Sequence, residues 1–243
     1  MIDSQPYTIK FLQKKELAKE TFVFYFSRPE GFKFTTGQYN RWTLPITATD
    51  GRGSSRFFTI SSSPLDSNYL SLTTKIIQSD FKRALLELKE NDEIKIFGPM
   101  GNFIFDETNT KPQIFIAGGI GITPFHSILQ YVAAKNFIMP LTLFVSFSTP
   151  EEIVYFDELK QIEKQHNTIK IIYTVTKPEN SQILWNGETG RISQELIQKY
   201  VPNFINCDFL IVGPPQMEEA TKKLLIAMNI AEGNIMTEQF TGY

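Results

Sequence analysis

The stretch "IFIAGGIGITPFHSIL" has the residue types that hold a phosphorylated ligand. A buried apolar strand ends at Ala117, and Gly118, Gly119 and Gly121 then let the backbone bend and approach a ligand closely. Thr123 and Pro124 read as a helix N-cap and the first helical residue. Free backbone N–H groups and a helix N-terminus at the carboxyl edge of a sheet make a place for a pyrophosphate. A tight glycine turn without a ligand accounts for the same residues, and the GxGxxG spacing is absent. "IVGPPQM", with Gly213, Pro214 and Pro215, leaves a later apolar strand in the same way. Parallel connections would bring both loops to one edge, although a Gly-Pro pair also ends strands with no ligand present.

In the first half, "RFFTISSSP" places Arg56, a forked and permanently charged partner for phosphate, two residues before Phe58 and so on the same strand face. Thr59 points the other way unless the strand ends or bends there. An exposed arginine beside a core phenylalanine is the plain structural alternative. Lys75 and Ser79 precede a helix that begins near Phe81, where the serine and nearby amides suit a phosphate or an ordinary helix cap.

The elements that must carry these residues fall into two groups. Up to about residue 110, short runs such as "YTIKFLQK", "TFVFYFS" and "YLSLTTKII" alternate with turn signals at the spacing of an antiparallel sandwich or barrel. One helical pattern, "DFKRALLELKE", puts Phe81, Leu85 and Leu88 on one face. After "NTKP" the apolar runs "QIFIAGG", "LTLFVSF", "TIKIIYTV" and "CDFLIVG" suit strands buried on both faces. Helical segments lie between them at "TPFHSILQYVAAK", "EEIVYFDELKQIEK", "SQELIQKYV" and "QMEEATKKLLIAM", which reads as a doubly wound parallel sheet. The expected division is a mostly β domain over residues 1–110 and an α/β domain over 111–243.

Composition narrows the function. The chain has 243 residues, 42% of them hydrophobic, enough for two cores. Its 24 basic and 26 acidic residues give a net charge of -2 without long runs of either sign, so a nucleic-acid partner is not expected. No signal-like start and no apolar run of membrane-spanning length is present, and a cytoplasmic location is the expectation. Cys207 is the single cysteine, too few for an iron-sulfur cluster or a structural zinc, so no metal is expected and redox chemistry would need an organic cofactor.

Taken in order and at matching spacing, "RFFTISSSP", "TTKIIQSDFKRAL", "GPMGNF", "AGGIGITPF", "VGPPQM" and "TEQFTGY" resemble the ferredoxin-NADP reductase family of flavoproteins. The resemblance runs from "GQYNRWTLP" to Tyr243. It implies an N-terminal antiparallel β-barrel that binds flavin, followed by an α/β doubly wound parallel sheet that binds a nicotinamide nucleotide. Arg56 would hold the flavin phosphate, Phe58 would lie against the isoalloxazine, and Thr59 would sit near flavin N5. Phe57, Thr74 and Lys75 join this flavin set, and the Ser79 segment would hold the pyrophosphate of FAD. Gly118, Gly119, Gly121, Thr123, Pro124 and Ser146 would take the nicotinamide cofactor's pyrophosphate side, and Gly213, Pro214 and Pro215 its nicotinamide end. Glu238, Phe240 and Tyr243 match the family's C-terminus beside the flavin. Thr59, Glu238 and Tyr243 form the expected catalytic group.

Three departures qualify the match. Phe58 stands where tyrosine is usual, and Val212 where a cysteine often precedes Gly-Pro. Phe147 and Ser148 stand where NADP-dependent relatives present an arginine, with Glu151 and Glu152 nearby, which favours NADH over NADPH. Lys177 and Arg191 are cations in neighbouring loops. The implied activity is hydride transfer from NAD(P)H to FAD and electron delivery to a ferredoxin, a flavodoxin or a small-molecule acceptor. The alternative is a flavin-binding sensor or partner-dependent electron-transfer subunit without its own NAD(P)H turnover.

Overall fold

Alternation shapes the first half. In strand β1 (Tyr7–Ala18), Ile9 and Phe11 are buried while Thr8 and Lys10 are exposed. With β2 (Thr21–Ser27), β3 (Tyr39–Thr43), β4 (Ser55–Thr59), β5 (Tyr69–Lys75) and β6 (Glu93–Met100) it builds a six-stranded sheet in the order β4-β3-β6-β1-β2-β5, in which every ladder is antiparallel. These elements belong to a computed structural model that describes residues 6–239. The sheet curls until the segment after β4 meets β5, where Ser61 N–H donates to the Ser71 carbonyl at 2.8 Å. Phe24, Phe26, Trp42, Ile60 and Leu70 fill the interior, each at 0% exposure. Helix α1 (Asp80–Glu87) plugs it with Phe81 and Leu85. Burying a large apolar side chain contributes about 1.5–3 kcal/mol.

The second half is a parallel sheet of β7 (Gln113–Gly118), β8 (Leu141–Phe147), β9 (Ile169–Val175), β10 (Glu188–Thr189), β11 (Asp208–Gly213) and β12 (Ile235–Gln239), in the order β10-β9-β8-β7-β11-β12. Helices α2 (Thr123–Lys135) and α3 (Phe156–Gln165) cover one face, and α4 (Gln194–Tyr200) and α5 (Pro215–Ala227) the other. Every residue of β7 is buried, as its unbroken apolar run requires. Because the chain winds outward from β7 and then crosses to β11, the strand order reverses between these two, and a crevice opens at their carboxyl ends.

One boundary differs from the sequence reading. The helix expected from "EEIVYFDELKQIEK" begins only at Phe156, after a 3-10 turn at Pro150–Glu152 and a left-handed Tyr155 with φ of 59°. Val154 and Tyr155 are both buried, so tertiary packing overrides the helical pattern. Phe103 and Phe105, upstream of β7, insert into the second core: Phe103 packs edge-on to Phe125 at 5.8 Å and Phe105 to Phe137 at 5.7 Å.

Candidate flavin and nicotinamide site

The two glycine loops meet at the crevice. Ala117 of β7 lies beside Val212 of β11, and a Cβ added to Gly121 would fall 2.5 Å from the Val212 carbonyl oxygen. A Cβ on Gly118 would collide with the Met217 sulfur. Packing of one loop on the other requires glycine at Gly121, whose clash is with backbone, whereas at Gly118 the Met217 side chain can give way. Gly119 differs, because its φ is +53° and a Cβ there would face open space. Ser146, at the end of β8, is the strand partner of Gly118. Pro214 precedes α5 and Pro215 is its first residue.

Thr123 is not a helix cap. Gly119–Ile122 forms a 3-10 turn that runs straight into α2, so Thr123 already has helical dihedrals, is buried, and has Pro124 after it within the first turn. Because the 3-10 turn supplies the earlier start, the helix origin sits nearer Gly119, closer to the crevice than a Thr123 cap would put it.

On the barrel side, Arg56 and Phe58 share a face as their parity requires, and both cover Phe81. The Phe58 ring centroid is 5.8 Å from that of Phe81, and the Arg56 guanidinium lies 5.5 Å from the Phe81 centroid. Phe57 points the other way, 61% exposed, edge-on to Tyr39 at 5.8 Å. Arg56 Nη1 donates to the carbonyls of Arg52, Gly53 and Ser55 at 2.7, 3.0 and 2.8 Å, and Nη2 lies 3.6 Å from the Asp50 carboxylate. Ser79 precedes α1 in extended conformation without a capping bond. The cap comes from Asp50, whose Oδ2 accepts the Asp80 N–H at 3.0 Å. Thr74 is buried, and Lys75 turns to the other domain, where its Nζ pairs with Glu152 Oε1 at 2.7 Å.

The two halves converge at Glu238. This residue is the strand partner of Val212, at the carboxyl edge of the sheet. A Cβ on Gly101, just past β6, would fall 2.9 Å from the Tyr39 ring and 3.6 Å from Glu238 Oε1. Tyr39 is in turn the partner of Thr59 across β3 and β4. Burial pushes the Glu238 carboxyl up to about 7, so near neutral pH it can hold or release a proton. Phe240 and Tyr243 lie outside the described residues.

Arg56 Nη2, Thr59 Oγ1, Ser79 Oγ and Glu238 Oε2 are buried without a hydrogen-bond partner among the described residues. A buried polar atom left unpaired costs about 1–3 kcal/mol, and such atoms suit a ligand that satisfies them. The donors at Arg56 and Ser79 fit the phosphate groups of a flavin, and Thr59 and Glu238 fit its polar ring edge.

The serine run has another task that sequence reasoning missed. The Ser61 carbonyl accepts from His126 Nδ1 at 2.8 Å, and the Ser62 carbonyl from Ser127 Oγ at 2.7 Å. Ser61 Oγ joins Ser71 and Thr73 hydroxyls at 2.8 and 3.1 Å, and Thr73 Oγ1 shares a 2.5 Å hydrogen bond with Tyr155. His126 stacks on Tyr155 at 3.6 Å and faces Glu158 through Nε2 at 3.0 Å. These residues join the barrel to α2 and α3.

Residues 8–105 match the family described as "Oxidoreductase FAD-binding domain", and residues 115–223 match "Oxidoreductase NAD-binding domain". The chain belongs to the ferredoxin-NADP reductase family of flavoprotein oxidoreductases. Among relatives of this flavoprotein is the glycine betaine monooxygenase reductase subunit of Chromohalobacter salexigens, 27% identical over 84% of the chain and 55% of the relative. Another is NADH-cytochrome b5 reductase 1 of Coccidioides immitis, 27% identical over 75% of the chain and 61% of the relative. The chain thus spans a little over half the length of these curated relatives. The fold of a ferredoxin NADP+ reductase from Neisseria gonorrhoeae, solved with bound FAD and NADP, superposes with a TM-score of 0.81 at 22% identity over 98% of this chain and 99% of that one. Among the described residues, no helix of this flavoprotein is long and apolar enough to cross a membrane, and no cluster of three metal-ligating side chains occurs.

Proposed function

We propose that the protein is an FAD-dependent NAD(P)H reductase that passes electrons to a separate acceptor, with residues 1–110 holding the flavin and 111–243 the nicotinamide nucleotide. The observation that carries the reading is the placement of half-buried Glu238 beside Val212, where the two interlocked glycine loops meet, with the unpartnered Thr59 hydroxyl across from Tyr39, whose ring lies near Gly101 and Glu238. Bound there, the flavin supplies hydride acceptance from the nicotinamide and stepwise electron release. The protein's own part is geometric and electrostatic. Arg56 and Ser79 donate to phosphate, Phe58 presents an apolar ring face, and Thr59 Oγ1 orients the reactive edge. Glu238 holds or releases a proton through its carboxyl. The glycine loop from Gly118 to Gly121 and the Gly213–Pro215 loop bind the nicotinamide nucleotide between them.

NADH is the preferred donor in this reading. Glu152 pairs with Lys75 at 2.7 Å and accepts from the Ser148 amide at 3.3 Å, and a hydrogen bond from Ser181 holds the neighbouring Glu151 down to about 2, so carboxylates lie beside Ser148 where a 2'-phosphate would need a cation. The relatives' names point to an oxygenase or a cytochrome as the kind of acceptor. A ferredoxin or flavodoxin, or a small-molecule acceptor, fills the same role. The proposed location is the cytoplasm, where reduced nicotinamide is in steady supply. Steady-state NADH oxidation with a ferredoxin, a flavodoxin, a cytochrome, a quinone and ferric chelates in turn tests the reading. Turnover with one of them supports it, and flavin-loaded protein that turns over with none contradicts it.

A further inference from the structure

Lys82, in the first turn of α1, is 4% exposed, yet its ammonium has one acceptor among the described residues, the Lys75 carbonyl at 2.8 Å. An ammonium has three donors to satisfy. The charged groups around it do not supply a counter-ion. Arg56 of β4 and Arg52 of the preceding turn are positive, and Lys75 at the end of β5 is held by Glu152. On its own helix, Arg83 pairs with Asp80. Asp80 also accepts from the Thr49 and Asp50 amides at 2.6 and 3.0 Å. Asp50 is committed to the Asp80 and Arg52 amides at 3.0 and 2.9 Å. Burial above all, then the charges of Arg56 and Arg52, press the Lys82 ammonium down to about 8. Two further polar groups at the same helix start lack a hydrogen bond, the Ser79 hydroxyl on a residue 5% exposed and Arg56 Nη2, which meets the Asp50 carboxylate only at 3.6 Å. A buried cation facing two more cations, beside unpartnered donors, is the arrangement an anion completes.

We propose that Lys82 acts with Arg56 and Arg52 as a third cationic ligand for the phosphate groups of the flavin cofactor, so that FAD binding is coupled to proton uptake by the protein. This rests on the flavin reading above. Lys82 lies in the segment that the motif resemblance gave to the FAD pyrophosphate but is not among the residues named there, and it makes a testable distinction between flavins. FAD carries the phosphates that draw the proton, whereas riboflavin carries none.

The sign follows from linkage. A lysine depressed in the free protein and restored toward its ordinary value beside phosphate takes up a proton between the two values, so uptake is greatest near pH 9, roughly midway, and fades toward pH 7. Isothermal titration of the flavin-free full chain with FAD and with riboflavin, in buffers of different ionisation enthalpy, reads this directly. The expected result is proton uptake with FAD near pH 9 and none with riboflavin. Lys82→Met should weaken FAD binding by about tenfold or more, in line with loss of a charge-assisted bond, and leave riboflavin affinity unchanged. Lys82→Arg keeps the charge but cannot titrate, so it should hold FAD affinity and abolish the uptake. FAD binding without uptake in the wild type, or uptake that survives in Lys82→Arg, overturns the proposal. Failure of the folded wild type to bind any flavin would instead overturn the flavin reading itself.

Discussion

His126 Nδ1 lies 2.8 Å from the carbonyl oxygen of Ser61, tying the first turns of α2 to the barrel segment that follows Arg56 and Thr59. The flavin motif and the nicotinamide-side helix are thus fixed to each other by a buried hydrogen bond, backed by the ring stack of His126 on Tyr155. His126→Ala leaves the Ser61 carbonyl and the Tyr155 ring face without partners. A loss of about 1–3 kcal/mol in denaturant unfolding is expected, with His126→Asn recovering part of it.

Glu238 gives a pH signature. Its carboxyl is raised from the ordinary carboxylate range to about 7, so the folded state holds that proton more tightly than the unfolded chain. The associated stability is fully present below the ordinary carboxylate value and is lost as pH rises toward 7. Glu238→Gln should therefore be more stable than wild type at pH 8 by roughly 1–2 kcal/mol after allowance for partial exposure, and equal to it near pH 4. The same substitution should remove a break near neutral pH from the profile of NADH-dependent flavin reduction.

The glycines separate into two kinds. Gly121→Ala must push against the Val212 backbone and should cost about 2 kcal/mol or more, measured by thermal unfolding. Gly119→Ala meets no atom but keeps a left-handed φ, for a smaller loss of about 1 kcal/mol. Gly119 opens toward free space, so its alanine variant should raise KM for NADH more than Gly121→Ala does, although Gly121→Ala is the less stable of the two.

Nucleotide preference is testable at Ser148, which is exposed at the end of β8 and beside Lys177, whose amide donates to the Ser148 carbonyl at 2.8 Å. Ser148→Arg supplies the missing cation. The ratio of kcat/KM for NADPH to that for NADH should rise by about tenfold or more, as expected for one charge-assisted bond to phosphate.

Much of the fold was legible because its periodicities are simple. The unbroken apolar runs of β7 and β11 announce strands buried on both faces, and the alternation around Ile9 and Phe11 announces a half-buried one. Phe103 and Phe105 were not legible as part of the second core, because a local pattern does not say which core receives an aromatic. At the site, Arg56 and Phe58 share a face as parity dictates. Thr123 misled because a Thr-Pro pair is a good cap by type, whereas the preceding 3-10 turn starts the helix earlier. The serine run looked like ligand chemistry, yet Ser61 and Ser62 bind the second domain through their carbonyls, a long-range contact that no local signal encodes. Asp50 and Lys82 escaped notice because their importance lies in charges brought together by folding.

The central claim is that the crevice passes electrons from nicotinamide to flavin, and an anaerobic stopped-flow mix of flavin-loaded protein with NADH, and separately with NADPH, tests it most directly. Rapid bleaching of the flavin's visible absorbance, faster with NADH, is the expected result. Protein that keeps its bound flavin and shows no bleaching with either nucleotide would contradict the account.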